Sequence, residues 1–187
     1  DFHGRLHKPM AKVLMHELEP YRLMFVEEPV LCENEECFPE LARSCHIPIA
    51  TGERNFTRWG FKNILTKGGI DIVQPDVSHC GGILEARKIA AMAEAFDVSV
   101  ALHCPLGPIA LAACLQVDFC TPNAFIQEQS AGIHYNQTYD PLKYLKNPEI
   151  FHFENGICRR LTGPGLGIQV DEEHVREMAK EGHNWHN

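Results

Sequence analysis

Short apolar runs alternate along this chain with longer segments whose apolar residues recur at helical spacing. The runs lie at 23–26, 47–50, 70–73, 98–102 and 124–126. Each has strand length and is almost continuously apolar, which is typical of parallel strands buried on both faces. The helical segments lie at 10–18, 36–45, 61–67, 83–96 and 108–117. This alternation predicts an α/β fold built on a parallel sheet.

The segment 83–96 shows the helical pattern most clearly. The residues of its apolar face are Ile83, Ala86, Ile89, Ala90 and Ala93. A face of this kind is normally buried against the core. The segment 61–67 is followed by Gly68-Gly69, a common way to end a helix.

An acid or a histidine follows each apolar run. These residues are Glu27, Glu53, Asp76, His103 and Glu128, and Asp1 and His3 hold the equivalent place before the first helix. From Asp1 to Glu128 the intervals are 26, 26, 23, 27 and 25 residues, close to the length of one βα unit. Eight such units would make about 200 residues, a lean (β/α)8 barrel of the TIM type. That fold builds its active site at the carboxyl ends of the strands, whereas the alternative, an open doubly wound sheet, gathers ligand groups at one switch point.

Three carboxylates, those of Asp1, Glu27 and Glu53, are predicted to end three successive strands. Neighbouring strands lie about 4.8 Å apart, so these charges would repel one another. A hard divalent cation removes the conflict, and Mg²⁺ takes a few carboxylate oxygens while keeping positions for water or substrate. We therefore predict a Mg²⁺ site on these three residues, although any one of them alone would more simply be a solvated loop carboxylate.

Asp76 and His103 are predicted to end the next two strands. A carboxylate bonded to one ring nitrogen fixes the tautomer and raises the basicity of the other, so His103 is the predicted general base. An isolated pair would instead be structural. His3 lies two residues after Asp1, and positions i and i+2 of a strand share a face, which places a second histidine in the same site. Glu128 could bond an oxygen that gains charge, or it could be an ordinary carboxylate at the top of the barrel.

The composition excludes several classes of partner. The chain has 187 residues and a formal net charge of −8, with no basic run, which disfavours binding to nucleic acid or to an anionic membrane. No apolar stretch reaches the roughly 18 residues of a membrane helix. The eight cysteines form no Cys-x-x-Cys pair, and most lie in apolar segments. We interpret them as reduced thiols of a cytoplasmic protein.

Several motifs occur in order at the predicted strand ends. They are Asp1-Phe2-His3-Gly4-Arg5, Glu27-Glu28-Pro29, Thr51-Gly52-Glu53-Arg54, Gln74-Pro75-Asp76, Cys80-Gly81-Gly82-Ile83, His103-Cys104-Pro105-Leu106-Gly107-Pro108, Gln127-Glu128-Gln129-Ser130, Gly132-Ile133-His134-Tyr135-Asn136 and Thr162-Gly163-Pro164-Gly165-Leu166-Gly167. With them the chain resembles the mandelate racemase-like group of the enolase superfamily, and within it the galactonate dehydratases.

The resemblance implies a Mg²⁺-dependent dehydration of a small sugar acid. Asp1, Glu27 and Glu53 would bind the metal, and His103, oriented by Asp76, would take the C2 proton of D-galactonate. His3 would protonate the departing C3 hydroxyl, and Glu128 would stabilise the enediolate oxygen. The product would be 2-keto-3-deoxy-galactonate.

The resemblance also implies that the chain starts at the end of the third barrel strand. Residues 1–187 would then be six βα units and a C-terminal tail, one partial barrel domain. We expect the intact protein to add the first two units and an N-terminal capping domain, and to form a homo-oligomer. The alternatives are a dehydratase for another aldonate such as gluconate, a truncated non-catalytic homologue, and an unrelated metal-dependent barrel enzyme such as an aldolase or isomerase.

Overall fold

Helices and strands alternate through most of the chain, for which a computed structural model describes residues 1–130 and 140–180. The α-helices in these residues are α1 (Lys8–Leu18), α2 (Phe38–Ser44), α3 (Thr57–Lys67), α4 (Ile83–Glu94), α5 (Pro108–Asp118) and α6 (Glu172–Lys180). The strands are β1 (Val26–Glu27), β2 (Ile49–Thr51), β3 (Ile72–Val73) and β4 (Ser99–Val100). Short 3₁₀ turns lie at Glu19–Tyr21, Cys32–Cys37, Pro141–Tyr144 and Pro148–Phe151.

The strands form one parallel sheet in the order β1-β2-β3-β4. Val26 pairs with Ile49, and Ile72 pairs with both Ala50 and Ser99. Each strand neighbours the next one in sequence, and a helix connects them, so the βα unit repeats in one direction. The predicted α/β fold with a parallel sheet is confirmed. The order of the described strands never reverses, so they lack the switch point of a doubly wound sheet.

The strands are shorter than the apolar runs that predicted them. The first run begins at Leu23, but β1 begins at Val26, and the side chains of Leu23 and Met24 are exposed. Arg22, just before, has a left-handed backbone with φ of 50°. The chain therefore turns towards the sheet there, and only the end of the run pairs with β2.

The last predicted strand, 124–126, is largely wrong. It contributes a single parallel bridge, between Val100 and Ala124, and the backbone N–H of Phe125 donates to Val100 O at 3.2 Å. Phe125 and Ile126 are exposed. A parallel strand is buried when neighbouring strands pair with its edges and helices cover its faces. Within the described residues, no further strand pairs with the segment 124–126 on its other edge.

Helix α4 follows its predicted apolar face except at its first residue. Ala86, Ile89, Ala90 and Ala93 are fully buried, but 41% of Ile83 is exposed. Ile83 begins the helix, one turn ahead of the buried stripe. Helix α3 ends as predicted: Gly68 takes φ of 73°, and its N–H donates to Ile64 O at 3.0 Å.

The chain divides into two compact units. The first comprises residues 1–103 and 117–128, and the second comprises 104–116 and 129–187. The first contains the sheet and every residue predicted for the active site. In the second, the Lys146 N–H donates to Gln169 O at 2.8 Å beside an antiparallel bridge of Leu145 and Val170. The motif at 132–136 lies outside the described residues.

Of the eight cysteines, four are buried, one is exposed and three are partly buried. Cys32, Cys37 and Cys158 are only partly buried because they lie in turns or irregular chain rather than in apolar helices or strands. No helix within 1–130 or 140–180 has both the length and the apolar character needed to cross a bilayer.

Candidate active site

The carboxyl ends of the parallel strands bring the predicted residues to one edge of the sheet. Glu27 is the last residue of β1, and Glu53 follows β2 by two residues. Asp76 and His103 each follow their strands, β3 and β4, by three residues. Because parallel strands end at the same edge, this periodic placement gathers side chains that are distant in sequence.

A glycine shapes the exit of β2. Gly52 has φ of 144°, and a Cβ there would lie 2.8 Å from the Phe61 ring and 2.9 Å from the backbone nitrogen of Gln74. Only glycine combines this backbone with so close an approach to the next strand. Glu53 therefore leaves β2 at a fixed angle towards the site.

His103 and Asp76 form a tightly coupled pair. The His103 Nδ1 lies 2.8 Å from Asp76 Oδ2, and Asp76 Oδ1 accepts the N–H of Ser78 at 2.6 Å. Burial alone would raise the pKa of Asp76, but the hydrogen bonds from His103 and Ser78 lower it overall. Burial alone would lower the pKa of His103, but the bond to Asp76 and the charges of Glu53 and Glu128 raise it. The pair is arranged to take up and hold a proton on His103.

Glu53 lies between two histidines. Its Oε2 is 3.3 Å from His103 Nε2, and its Oε1 is 3.9 Å from His3 Nδ1. The side chain is only 10% exposed. Each carboxylate oxygen thus faces a different imidazole, and the site has one proton-transferring group on either side of Glu53.

His3 reaches this position from a turn, not from the strand that its i, i+2 spacing predicted. Its backbone has φ of 55°, and its N–H donates to Asp1 Oδ1 at 2.5 Å. The ring Nδ1 lies 3.1 Å from Asp1 Oδ2. An aspartate that accepts a backbone N–H two residues on favours a turn over extended chain, which is why the strand was a wrong prediction. The two side chains nevertheless lie together, as expected.

Glu27 and Glu128 add negative charge to the same place. Burial raises the pKa of Glu27, and the charges of Glu128 and Glu53 raise it further. Glu128 is exposed. The Gln127 side-chain amide donates to Leu102 O at 2.9 Å and to Glu128 O at 2.7 Å, which ties this segment to the end of β4.

The carboxylates at this edge of the sheet are chemically suited to bind a hard cation, but their side chains are not arranged around a common point. Glu53 and Glu128 are close enough to Glu27 to raise its pKa, and a bound cation would relieve the repulsion among the three carboxylates. Among the described residues, however, no three His, Cys, Asp or Glu side chains are grouped as metal ligands. The carboxylate of Asp1 instead contacts His3. The carboxylate of Glu53 contacts His3, His103 and Arg54.

Two residues that the sequence did not single out belong to this site. Glu28, next to Glu27, is completely buried, and Arg54, next to Glu53, contacts Glu28, Glu53 and the backbone of His3. Both stand inside quoted motifs. The sequence signal for both residues was a charge next to a predicted strand-end acid. Sequence alone does not show which of the two adjacent acids, Glu27 or Glu28, turns into the protein.

His79 lies near the predicted base, His103, and its partner Asp76. Its Nδ1 is 3.8 Å from Asp76 Oδ2, and its backbone N–H donates to Asp76 Oδ1 at 3.2 Å. The ring is half exposed. Its positive charge, when protonated, helps to lower the pKa of Asp76.

A separate surface cavity of about 700 Å³ lies in the second unit. Its lining includes His152, Arg159, Arg160 and Gln169. None of the residues predicted for catalysis or metal binding lines it. The sheet edge, where the titratable residues converge, is therefore the candidate active site.

Comparison with known proteins matches this arrangement. A family model described as enolase C-terminal domain-like matches residues 1–174. A solved structure of a predicted dehydratase from Salmonella enterica subsp. enterica serovar Typhimurium is 32% identical with a TM-score of 0.84, over 94% of this chain and 42% of that one. A predicted mandelate racemase/muconate lactonizing enzyme from Burkholderia SAR-1 is 38% identical with a TM-score of 0.80, over 94% and 42%.

A mandelate racemase/muconate lactonizing enzyme from Jannaschia sp. CCS1 is 30% identical with a TM-score of 0.81, over 94% of this chain and 43% of that one. The chain thus spans less than half the length of these solved structures. The matched part is the C-terminal barrel portion, in agreement with the predicted fold class. The chain belongs to the enolase C-terminal domain-like family of the enolase superfamily.

Proposed function

We propose that this chain forms the catalytic barrel portion of an acid-sugar dehydratase that acts on D-galactonate. The observation that carries the proposal is the placement of two histidines, each paired with its own carboxylate, on opposite oxygens of Glu53. A β-elimination needs a base at one carbon and an acid at the next, and two imidazole side chains can supply both groups.

His103 is the base in this proposal. Asp76 holds its Nδ1, so Nε2 is the atom that accepts the C2 proton of the substrate. The hydrogen bond that the His103 Nδ1–H donates to Asp76 strengthens as the ring becomes positive, which stabilises the protonated product of this step. The raised pKa of His103 agrees with that role.

His3 is the acid. Its side chain is 45% exposed, so a substrate can approach it directly. The electron pair released from the C2–H bond forms a C2–C3 double bond, and the C3 hydroxyl leaves with the proton from His3 as water. The enol then tautomerises to 2-keto-3-deoxy-galactonate.

Asp1, Glu27 and Glu53 would hold Mg²⁺, since hard carboxylate oxygens that repel one another suit this ion. When bound, the ion withdraws charge from the substrate carboxylate and makes the neighbouring proton easier to remove. Glu128, whose charge acts on both Glu27 and His103, would bond the oxygen that gains charge. The contacts of Asp1 to His3 and of Glu53 to His103 compete with ligation of the ion.

A panel of aldonic acids tests the proposal. The purified protein with Mg²⁺ is incubated with D-galactonate, gluconate and other epimers, and the 2-keto acid is measured. Turnover of D-galactonate supports the full proposal, and turnover of gluconate alone supports dehydration with a different substrate. Exchange of the C2 proton without any keto acid would indicate racemisation or epimerisation instead. Absence of both reactions on every aldonate would contradict the proposal.

The absence of a three-residue ligand group among the described residues favours one alternative, a non-catalytic homologue. Calorimetric titration with Mg²⁺ separates the two. Binding that is lost in Glu27→Gln and Glu53→Gln, but kept in Glu40→Gln, supports the catalytic site. Glu40 is a suitable control because it lies on the surface, paired with Lys8 and Lys12. No binding by the unaltered chain would support the alternative.

A further inference from the structure

We propose that Arg54 is a positioning residue that fixes the turn 1–4, and with it His3, beside Glu53. The inference rests on the proposed function, in which His3 protonates the leaving hydroxyl. The support runs from Thr51 and Gly52 through the carboxylate of Glu28 to the guanidinium of Arg54, and from there to the backbone carbonyl of His3.

The support begins at a buried carboxylate. Glu28 is 0% exposed and has a left-handed backbone with φ of 46°. Its Oε1 accepts the hydroxyl of Thr51 at 2.6 Å and the N–H of Gly52 at 3.1 Å. Both donors belong to the end of β2, so the carboxylate of Glu28 is fixed to the sheet.

The other oxygen of Glu28 faces Arg54. Glu28 Oε2 has no hydrogen-bond partner within the described parts of the chain, and Arg54 Nη1 lies 3.8 Å from it. A buried carboxylate oxygen without a donor is unfavourable, so the nearby positive charge is strongly held in place. This contact anchors one end of the guanidinium.

The remaining donors of Arg54 face the site. Nη1 and Nη2 each donate to His3 O at 3.2 Å, and Nε lies 3.5 Å from Glu53 Oε1. The planar guanidinium presents several donors in one rigid group, which a lysine ammonium cannot reproduce. Arg54 therefore connects three parts of the site at fixed distances.

Backbone hydrogen bonds and Arg54 together hold the turn that carries His3. Asp1 and His3 belong to the same turn, so the bond between their side chains does not fix the turn to the sheet. The N–H groups of Phe2 and Gly4 donate to Glu27 O and Glu28 O, at 2.9 and 2.8 Å. Arg54 holds the carbonyl of His3, the residue between them.

Gly4 is shaped to admit the guanidinium. Its φ is 63°, and a Cβ at this position would lie 2.6 Å from Arg54 Nη1. An alanine there would push the flexible end of Arg54 away from the turn. Gly4→Ala would displace the same contact, but it would also strain the turn itself through its positive φ and through the approach of Leu31 Cδ2 at 3.3 Å.

The test separates the two chemical steps. In Arg54→Met we expect the elimination to slow by about tenfold to a hundredfold, since small displacements of a reacting group have costs of that order. Exchange of the C2 proton, which depends on His103, should change less than about twofold, and KM should change less than kcat. Arg54→Lys should recover only part of the loss. Arg58→Met, which removes a nearby arginine paired with Glu85, is the matched control and should leave both rates unchanged.

An equal fall of both rates in Arg54→Met, or no fall in either, would overturn the inference. If Arg54→Met does not fold, Arg54→Gln, which keeps a polar group beside Glu28, is measured in the same way, with the same expected split. Full recovery by Arg54→Lys would also count against it, because a single ammonium would then suffice.

A second readout does not depend on activity. Amide hydrogen exchange by NMR should accelerate at His3 and Gly4 in Arg54→Met, while the amides of β2 and β3 keep their protection. Unchanged exchange at both positions would contradict positioning by Arg54. If the unaltered protein dehydrates no aldonate but shows this local effect, the proposed function fails and the positioning of the turn stands.

Discussion

His103 and His3 face the same carboxylate, Glu53, from two different kinds of structure. The His103 side, which consists of His103 and Asp76, follows two strands of the sheet, and its side chains are 13% and 2% exposed. The His3 side, which consists of His3 and Asp1, lies in a turn, and its side chains are 45% and 41% exposed. Groups held by a sheet keep their geometry better than groups held by a turn. The comparison therefore predicts a rigid base and an acid whose position depends on its supports.

The largest expected effect is at the His103 side. His103→Ala should slow exchange of the C2 proton by about a thousandfold, in line with the loss of a general base. The exchange is measured by proton NMR in deuterium oxide with D-galactonate and Mg²⁺. Mg²⁺ affinity should change little, and His16→Ala, a surface histidine paired with Glu19, is the control. An unchanged exchange rate would remove His103 from the role of base.

The His3 side should affect only the second step. His3→Ala should reduce formation of the 2-keto acid by about a hundredfold, the usual order for loss of a general acid, while C2 exchange continues. Both rates are followed in the same NMR sample. A parallel loss of exchange would show that His3 also contributes to proton removal, and the contrast between the two sides would disappear.

Asp76→Asn tests whether the His103 side is as well fixed as the distances suggest. The variant replaces the charged carboxylate in the hydrogen bond that raises the pKa of His103 by a neutral amide, so this pKa should fall, as measured by NMR titration. Loss of the charge from this bond should reduce the free energy of unfolding by about 2 kcal/mol. Asp1→Asn, which alters the exposed pair, should have a much smaller effect on stability.

The effect of pH on stability has a definite sign at the His103 side. The folded protein raises the pKa of His103, so its contribution to stability is complete below about 6.5 and is lost as pH rises through the raised value. The folded protein lowers the pKa of Asp76, so its contribution is present above about 3.9 and is lost as pH falls through the lowered value. Urea unfolding across this range should show a smaller pH dependence in Asp76→Asn. An identical pH dependence would contradict the coupling.

The smallest expected effect is that of Glu27, which belongs to neither the His103 side nor the His3 side. The folded protein raises the pKa of Glu27, so the destabilisation by this residue grows as pH rises above about 4.3 and is complete above the raised value. Without metal at pH 7, Glu27→Gln should therefore raise the free energy of unfolding. With Mg²⁺ the order should reverse, because only the unaltered protein gains stability from binding. A destabilised Glu27→Gln in the presence of a chelator would contradict the repulsion.

Much of the fold follows from the sequence because burial on both faces of a parallel strand leaves a clear apolar run. The predicted and observed ends of α1, α4 and α5 agree within about two residues. Strand starts were less predictable, since Leu23 and Met24 are apolar but exposed. Apolar character marks residues that can be buried, and tertiary neighbours decide which of them are.

The candidate site was predictable in its members but not in its supports. The βα period brings Glu27, Glu53 and Asp76 together because each stands at a strand end. The supporting contacts of Glu28 and Arg54 depend on which way a side chain turns after the strand, and periodicity carries no information about that. His3 shows the limit well, because it reaches the expected place through an unexpected turn.

Gly52 has a consequence for the tolerance of this chain to mutation. Its N–H holds the buried Glu28, and its missing side chain allows Glu53 to leave the sheet against Phe61 and Gln74. Gly52 therefore helps to position both Glu28, which supports the turn that carries His3, and Glu53, whose carboxylate faces both histidines. In a library of all single substitutions, position 52 should accept no other residue, whereas the exposed neighbour Phe56 should accept many. The robustness of the whole site to random change is therefore set by a residue that has no side chain at all.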